Sequence, residues 1–147
     1  KVAKALQEGL QPGVQLINYK KQRRIDLDRY DTIIIGGSIH AGKMNSRIRS
    51  FCEKNIIRLL NKQLALYLCC MDEGNAALKF FEQSYPEVLR EHSMCNRLVG
   101  GEFLMEKMNF LEKAIIKKLT GSEQSISKID REKIGEMILC IRGLEAN

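Results

Sequence analysis

The sequence has no tryptophan, only two prolines, and no C-x-x-C pair among its five cysteines. It also has no apolar run of membrane-spanning length. Without the paired spacing, Cys52, Cys69, Cys70, Cys95 and Cys140 suit neither a zinc site nor a disulfide framework, and are expected to be reduced and mostly buried. Adjacent Cys69 and Cys70 would face opposite sides of a strand, which fits packing better than redox pairing. No repeat, low-complexity tract or linker divides the chain, so one domain spanning 1–147 is expected. The opening "KVAKALQEGL" is amphipathic and does not read as a signal peptide. An intracellular, cytoplasmic protein is therefore expected.

What is present is ordinary globular material, 44% hydrophobic and 29% charged, with a net charge of +6. Lys20, Lys21, Arg23 and Arg24 form a local basic run. No aromatic platform is interleaved with it, and no nucleic-acid-binding motif accompanies it. A solvated face is expected there, with no nucleic-acid partner.

Val14 to Lys20 alternates like a half-buried strand, whereas Thr32 to Ile35 and Leu64 to Cys70 are almost continuously apolar and read as strands buried on both faces. "RLVGGEF", Arg97 to Phe103, reads as a shorter fourth strand. Helical patterns lie between them. Asn45 or Ser46 caps a stripe of Ile48, Phe51, Cys52, Ile56, Leu59 and Leu60. Ala77, Leu78, Phe81 and Tyr85 follow Gly74 and Asn75, with Pro86 as an interruption. Met105, Met108, Leu111, Ile115 and Leu119 recur at helical spacing as a core stripe ending at Gly121, and Asp130 and Gly143 frame a last helix. Strands alternating with helices predict an open α/β sheet with parallel strands.

"TIIIGGSIHAGKMNS" raises the question of a ligand. Gly37, Gly42 and Lys43 occupy the G-x-x-x-x-G-K frame of a triphosphate loop. Met44 stands where a hydroxyl should meet magnesium, so a degenerate nucleotide-binding loop is one reading. Asp72, at the end of an apolar strand, would be its metal-orienting carboxylate.

A second reading comes from "YDTIIIGGSIHAGKMNSRIRSFCEKN", Tyr30 to Asn55, which resembles the flavodoxin-like family, in particular the branch of menaquinone-dependent protoporphyrinogen dehydrogenase. The resemblance continues through "LALYLCCMDEGN", "RLVGGEF" and the helix to "KKLTG". It implies a flavodoxin-like three-layer α/β sandwich with a parallel sheet in order 2-1-3-4-5, binding FMN at the carboxyl ends of the strands. In that scheme Val14 to Lys20 is the second strand. The first strand and its phosphate loop would lie ahead of Lys1, leaving an N-terminally incomplete domain.

The resemblance further implies that Ser38, Ile39, His40, Ala41, Gly42, Lys43 and Asn45 hold one side of the isoalloxazine, with Met71, Asp72, Glu73 and Gly74 as the second flavin loop. Neither loop has the Trp or Tyr that many flavodoxins stack on the ring, so His40 or Met44 would cover it. No residue is assigned acid or base catalysis. The implied activity is electron carriage by bound flavin, with a redox protein or a quinone- or porphyrin-type molecule as partner, at the inner membrane face if contact with a membrane is made. A flavodoxin-shaped interaction module without cofactor is the alternative.

Overall fold

A computed structural model describes residues 1–144. Its central sheet is built from β1 (Thr32–His40), β2 (Lys43–Met44), β3 (Gln63–Cys69) and β4 (Cys95–Leu98), in spatial order β2-β1-β3-β4. β1, β3 and β4 are mutually parallel, in a register running from Thr32 opposite Gln63 to Ser38 opposite Cys69, and from Ala65 opposite Cys95 to Leu98 opposite Leu68. Helical crossovers impose that parallel arrangement, as expected.

β3 is the middle strand, and Leu64 to Leu68 are all buried. Alternation sends Leu64, Leu66 and Leu68 into one layer and Ala65 and Tyr67 into the other. The first layer is covered by α2 (Ser46–Lys54), α3 (Ile56–Leu60), α4 (Gly74–Ser84) and α5 (Glu87–His92), through Cys52, Leu59, Phe81 and Leu89. The second is covered by α1 (Val2–Leu10) and α7 (Arg131–Ile141), through Val2, Leu6, Ile134 and Met137. The result is the helix–sheet–helix sandwich expected of the flavodoxin-like class. Tyr85, just past α4, is buried and donates from its hydroxyl to the Tyr67 carbonyl at 2.6 Å, tying a helix end to the middle strand.

Four expectations are corrected. Val14 to Lys20 forms no strand, and its Leu16 is exposed. A strand exists only where a neighbour takes its backbone groups, and none lies beside this segment among the described residues. The segment is tethered by side chains instead, Gln7 to the Val14 carbonyl and Tyr30 to Gln15.

"RLVGGEF" is not one strand. The chain leaves β4 after Leu98, turns at Gly100 with φ +69°, and re-enters a separate two-stranded sheet of β5 (Glu102–Phe103) and β6 (Ile126–Ser127). The stripe from Ile48 to Leu60 is two helices, because Asn55 ends the first, its side-chain amide donating to the Phe51 carbonyl at 2.8 Å.

The fourth correction concerns α6 (Phe110–Thr120), between β5 and β6. Its expected core stripe of Leu111, Ile115 and Leu119 is exposed. Ile116 is the residue this helix buries, while Met105, one turn of 3-10 helix earlier, is buried as expected. The caps are where the sequence puts them: Asn45, Asp130 and the left-handed Gly121.

Candidate functional site

The β1–β2 hairpin is the first wall of the expected site. β1 runs through Ser38 and Ile39 to His40, turns on Ala41 and Gly42, and returns through Lys43 and Met44. Both turn residues have positive φ, +48° and +75°, the geometry of a two-residue type I′ hairpin. His40, Ala41, Gly42 and Lys43 are exposed, and Lys43 makes no ion pair among the described residues. Met44 is instead buried over Gly37, where a side chain would strike its thioether. Met44 is therefore a core residue and does not cover a ring; of the two proposed for that task, His40 is the one in solvent.

Asn45 begins α2, its side-chain oxygen accepting from the Arg47 N–H at 2.9 Å. Gly37 thus lies within a strand and Lys43 on a hairpin arm. A triphosphate loop instead wraps backbone N–H groups around phosphate and leads directly into a helix. The G-x-x-x-x-G-K spacing here is a coincidence of hairpin geometry.

The second wall starts beside the first. Ser38 is paired with Cys69, so the two loops leave neighbouring strands roughly 4.8 Å apart. Met71 is half-buried, and Asp72, Glu73 and Gly74 are exposed. Gly74 opens α4 with φ +60°. The Cys70 thiol lies 3.6 Å from Asp72 Oδ2, and Glu73 Oε1 is 3.1 Å from Lys128 Nζ. Burial pushes the Cys69 thiol up to about 11, and that of Cys70 upward as well. Both are neutral thiols near pH 7, poor nucleophiles and poor metal ligands. No group of His, Cys, Asp and Glu among the described residues could hold a metal ion.

A third wall was missed in the sequence. Val99 to Glu102 packs directly on the second loop, with Cys70 N–H donating to the Gly100 carbonyl at 3.0 Å. A Cβ on Gly101 would lie 2.9 Å from the Met71 nitrogen. The adjacent glycines in "RLVGGEF" were the available signal. Lys128, which pairs with Glu73 across the strand ends, gave none.

Bare backbone at the loop crests bears on whether a flat ring fits. Added Cβ atoms at Gly42 and Gly74 would meet no heavy atom within 4 Å. A planar group can approach the main chain at both places, and peptide N–H and C=O groups there suit the heteroatoms of a flavin. The donor set fits an isoalloxazine edge on an open shelf. Two clefts lie elsewhere: about 440 Å³ beside Tyr19, Arg23 and Phe51, and about 390 Å³ beside Lys62, His92 and Met94. Neither touches either loop.

Comparison with curated proteins gives no match. Comparison with protein families matches residues 1–129 to the flavodoxin domain, a span covering both walls, the third loop and α6. The chain belongs to the flavodoxin-domain family.

Proposed function

We propose that the chain binds FMN across the carboxyl ends of β1 and β3 and passes electrons through it. The observation that carries this reading is the in-register placement of two glycine-crested loops at the ends of adjacent parallel strands, in a chain of the flavodoxin-domain family. Bound flavin supplies one- or two-electron chemistry. The protein supplies position and potential. His40 covers one face, main-chain groups from Ser38 to Gly42 and from Met71 to Gly74 hydrogen-bond the ring edge, and Lys43, which has no ion-pair partner among the described residues, places a cation on the first loop. A cation beside the ring favours the reduced, anionic state and raises the potential. Asn45 acts by starting α2 and so fixing the hairpin.

The finer reading is a protoporphyrinogen dehydrogenase-like oxidoreductase of the cytoplasm, with a quinone- or porphyrin-type partner. It is supported by the resemblance at Tyr30 to Asn55 and by the basic balance of the chain. A cofactor-free interaction module is the second reading, favoured by the absence of Trp and Tyr from both loops.

Titrating the chain with FMN separates the two. Quenching of flavin fluorescence, a rise in thermal midpoint and weakening by Gly42→Val are expected. No quenching and no thermal shift at saturating FMN would remove the redox assignment. Assay of the FMN-loaded chain with a reduced porphyrinogen and a quinone then decides the finer reading.

A further inference from the structure

We infer that the cleft between α2 and the segment leading into β1 is a binding site for a nucleoside monophosphate, an inference that stands independently of flavin binding. The cleft encloses about 440 Å³, the size of a small-ligand site and far more than a bare phosphate fills. A turn at Asn18 builds one side of it. The Asn18 carbonyl accepts from the Lys21 and Gln22 N–H groups at 2.9 and 3.0 Å, and its side-chain oxygen accepts from the Lys20 N–H at 3.0 Å. The turn sets Tyr19 against Phe51 of α2, with ring centroids 5.0 Å apart and planes at 57°. Phe51 and Ile25 also pack on the first core layer, so the aromatic wall is fixed to the sheet. The sequence interleaves no aromatic platform with its basic run, and folding supplies one from α2.

Charge and shape select the occupant. Arg23 and Arg24 both line the cleft, and neither makes an ion pair or side-chain hydrogen bond among the described residues. Asp26, the carboxylate in the lining, is already engaged: its Oδ1 accepts from the Asp28 N–H at 3.2 Å and lies 3.9 Å from the Arg58 guanidinium. The Asn55 amide is committed as well, to the Phe51 carbonyl. The cleft is therefore left with positive charge to satisfy. Two guanidinium forks match an anion with several oxygens, and phosphate fits that geometry. An aromatic wall beside them suits a planar base, which stacks on Tyr and Phe faces. A nucleoside monophosphate carries both groups one sugar apart, whereas inorganic phosphate or a bare nucleoside uses half of the cleft. One aromatic pair and one arginine pair serve a single nucleotide rather than a tract of stacked bases.

Titration calorimetry of the whole chain with adenosine monophosphate reads the site. A dissociation constant below about 1 mM is expected, with inorganic phosphate and adenosine each about tenfold or more weaker. Arg23→Gln/Arg24→Gln should lose about tenfold or more of the affinity for the monophosphate and leave that for adenosine unmoved. Tyr19→Leu should weaken both together. Both arginines are exposed and Tyr19 is half-buried, so circular dichroism and melting point should hold in these variants. No heat at about 10 mM monophosphate overturns the proposal. So does an affinity no better than that of inorganic phosphate, which would mean an adventitious ion only, or binding that both variants leave untouched. An affinity for single-stranded oligonucleotides that climbs with their length, above that for the monophosphate, would also overturn it. An FMN titration of the arginine variant reads the flavin shelf separately: unchanged binding is expected, and its loss would make flavin the occupant of the cleft and refute the assignment.

Discussion

Alanine at Gly100 introduces two costs that can be measured apart. The first is conformational: φ is +69°, and an L side chain in the left-handed region costs about 1–2 kcal/mol. The second is steric. The new Cβ would overlap the Lys128 carbonyl oxygen, 2.9 Å from its carbon and 3.2 Å from the Asp130 nitrogen. All three neighbours are backbone, so no rotamer can relieve the clash. That backbone is also fixed from three sides, by Cys70 N–H to the Gly100 carbonyl at 3.0 Å, Lys128 N–H to Gly101 at 2.8 Å, and Asp130 N–H to Val99 at 3.0 Å. Overpacking a rigid contact adds about 1–3 kcal/mol, so the total is about 3 kcal/mol.

Gly42 is the internal control, with φ +75° and nothing within 4 Å of an added Cβ. Gly42→Ala carries the first cost without the second, about 1–2 kcal/mol. In urea unfolding the Gly100 variant should be about 2 kcal/mol less stable than the Gly42 variant, with the m-value unchanged. Equal midpoints for the two variants would show that the third loop yields freely, and would remove it as a rigid wall of the site.

Three further outcomes follow from the packing. Tyr85→Phe removes the 2.6 Å hydrogen bond to Tyr67 but leaves that carbonyl within the β1–β3 ladder, so urea unfolding should show a loss of about 1 kcal/mol. Burial pushes the Cys52 thiol up to about 12 from an ordinary 9.0, so folded protein holds a proton that unfolded chain releases. The stability contributed is whole below pH 9 and declines by about 1.4 kcal/mol per pH unit above it; Cys52→Ala should flatten the fall in urea midpoint between pH 9 and 10.5, and an unchanged slope would refute it. Asn109→Ala breaks the capping box of α6 at a cost of about 1 kcal/mol; since this helix buries little, hydrogen exchange should quicken from Leu111 to Thr120 with the global melting point unmoved.

Legibility in the sequence tracked how many neighbours a residue has. β3 was readable because five consecutive apolar residues can be satisfied only between two layers. The caps at Asn45, Asp130 and Gly121 were readable because they obey local backbone rules. Val14 to Lys20 and the ridge of α6 were misread for one shared reason: periodicity tells which side chains share a face, and says nothing about what that face meets. Among the described residues, alternation at Val14 to Lys20 found no adjoining strand, and the stripe at Leu111, Ile115 and Leu119 is exposed. The loops at Ser38 to Asn45 and Met71 to Gly74 do follow adjacent strands, but the burial of Met44 was not legible, since it depends on a hairpin folding it back over Gly37. The Lys128 contribution joins residues far apart in the chain and had no local trace.

The carboxyl edge and the α6 arm are mechanically one unit. β5 leaves directly from Gly101, whose carbonyl accepts from Lys128 N–H as the arm returns, and Lys128 Nζ reaches Glu73 on the second loop at 3.1 Å. On the same side Lys1 Nζ reaches Glu102 at 2.7 Å, joining α1 to the root of the arm. The arm therefore springs from the third wall of the proposed flavin shelf. The exposed ion pair at Glu73 is weak in itself, and its value is positional. It couples the loop that would touch the ring to the segment that carries α6.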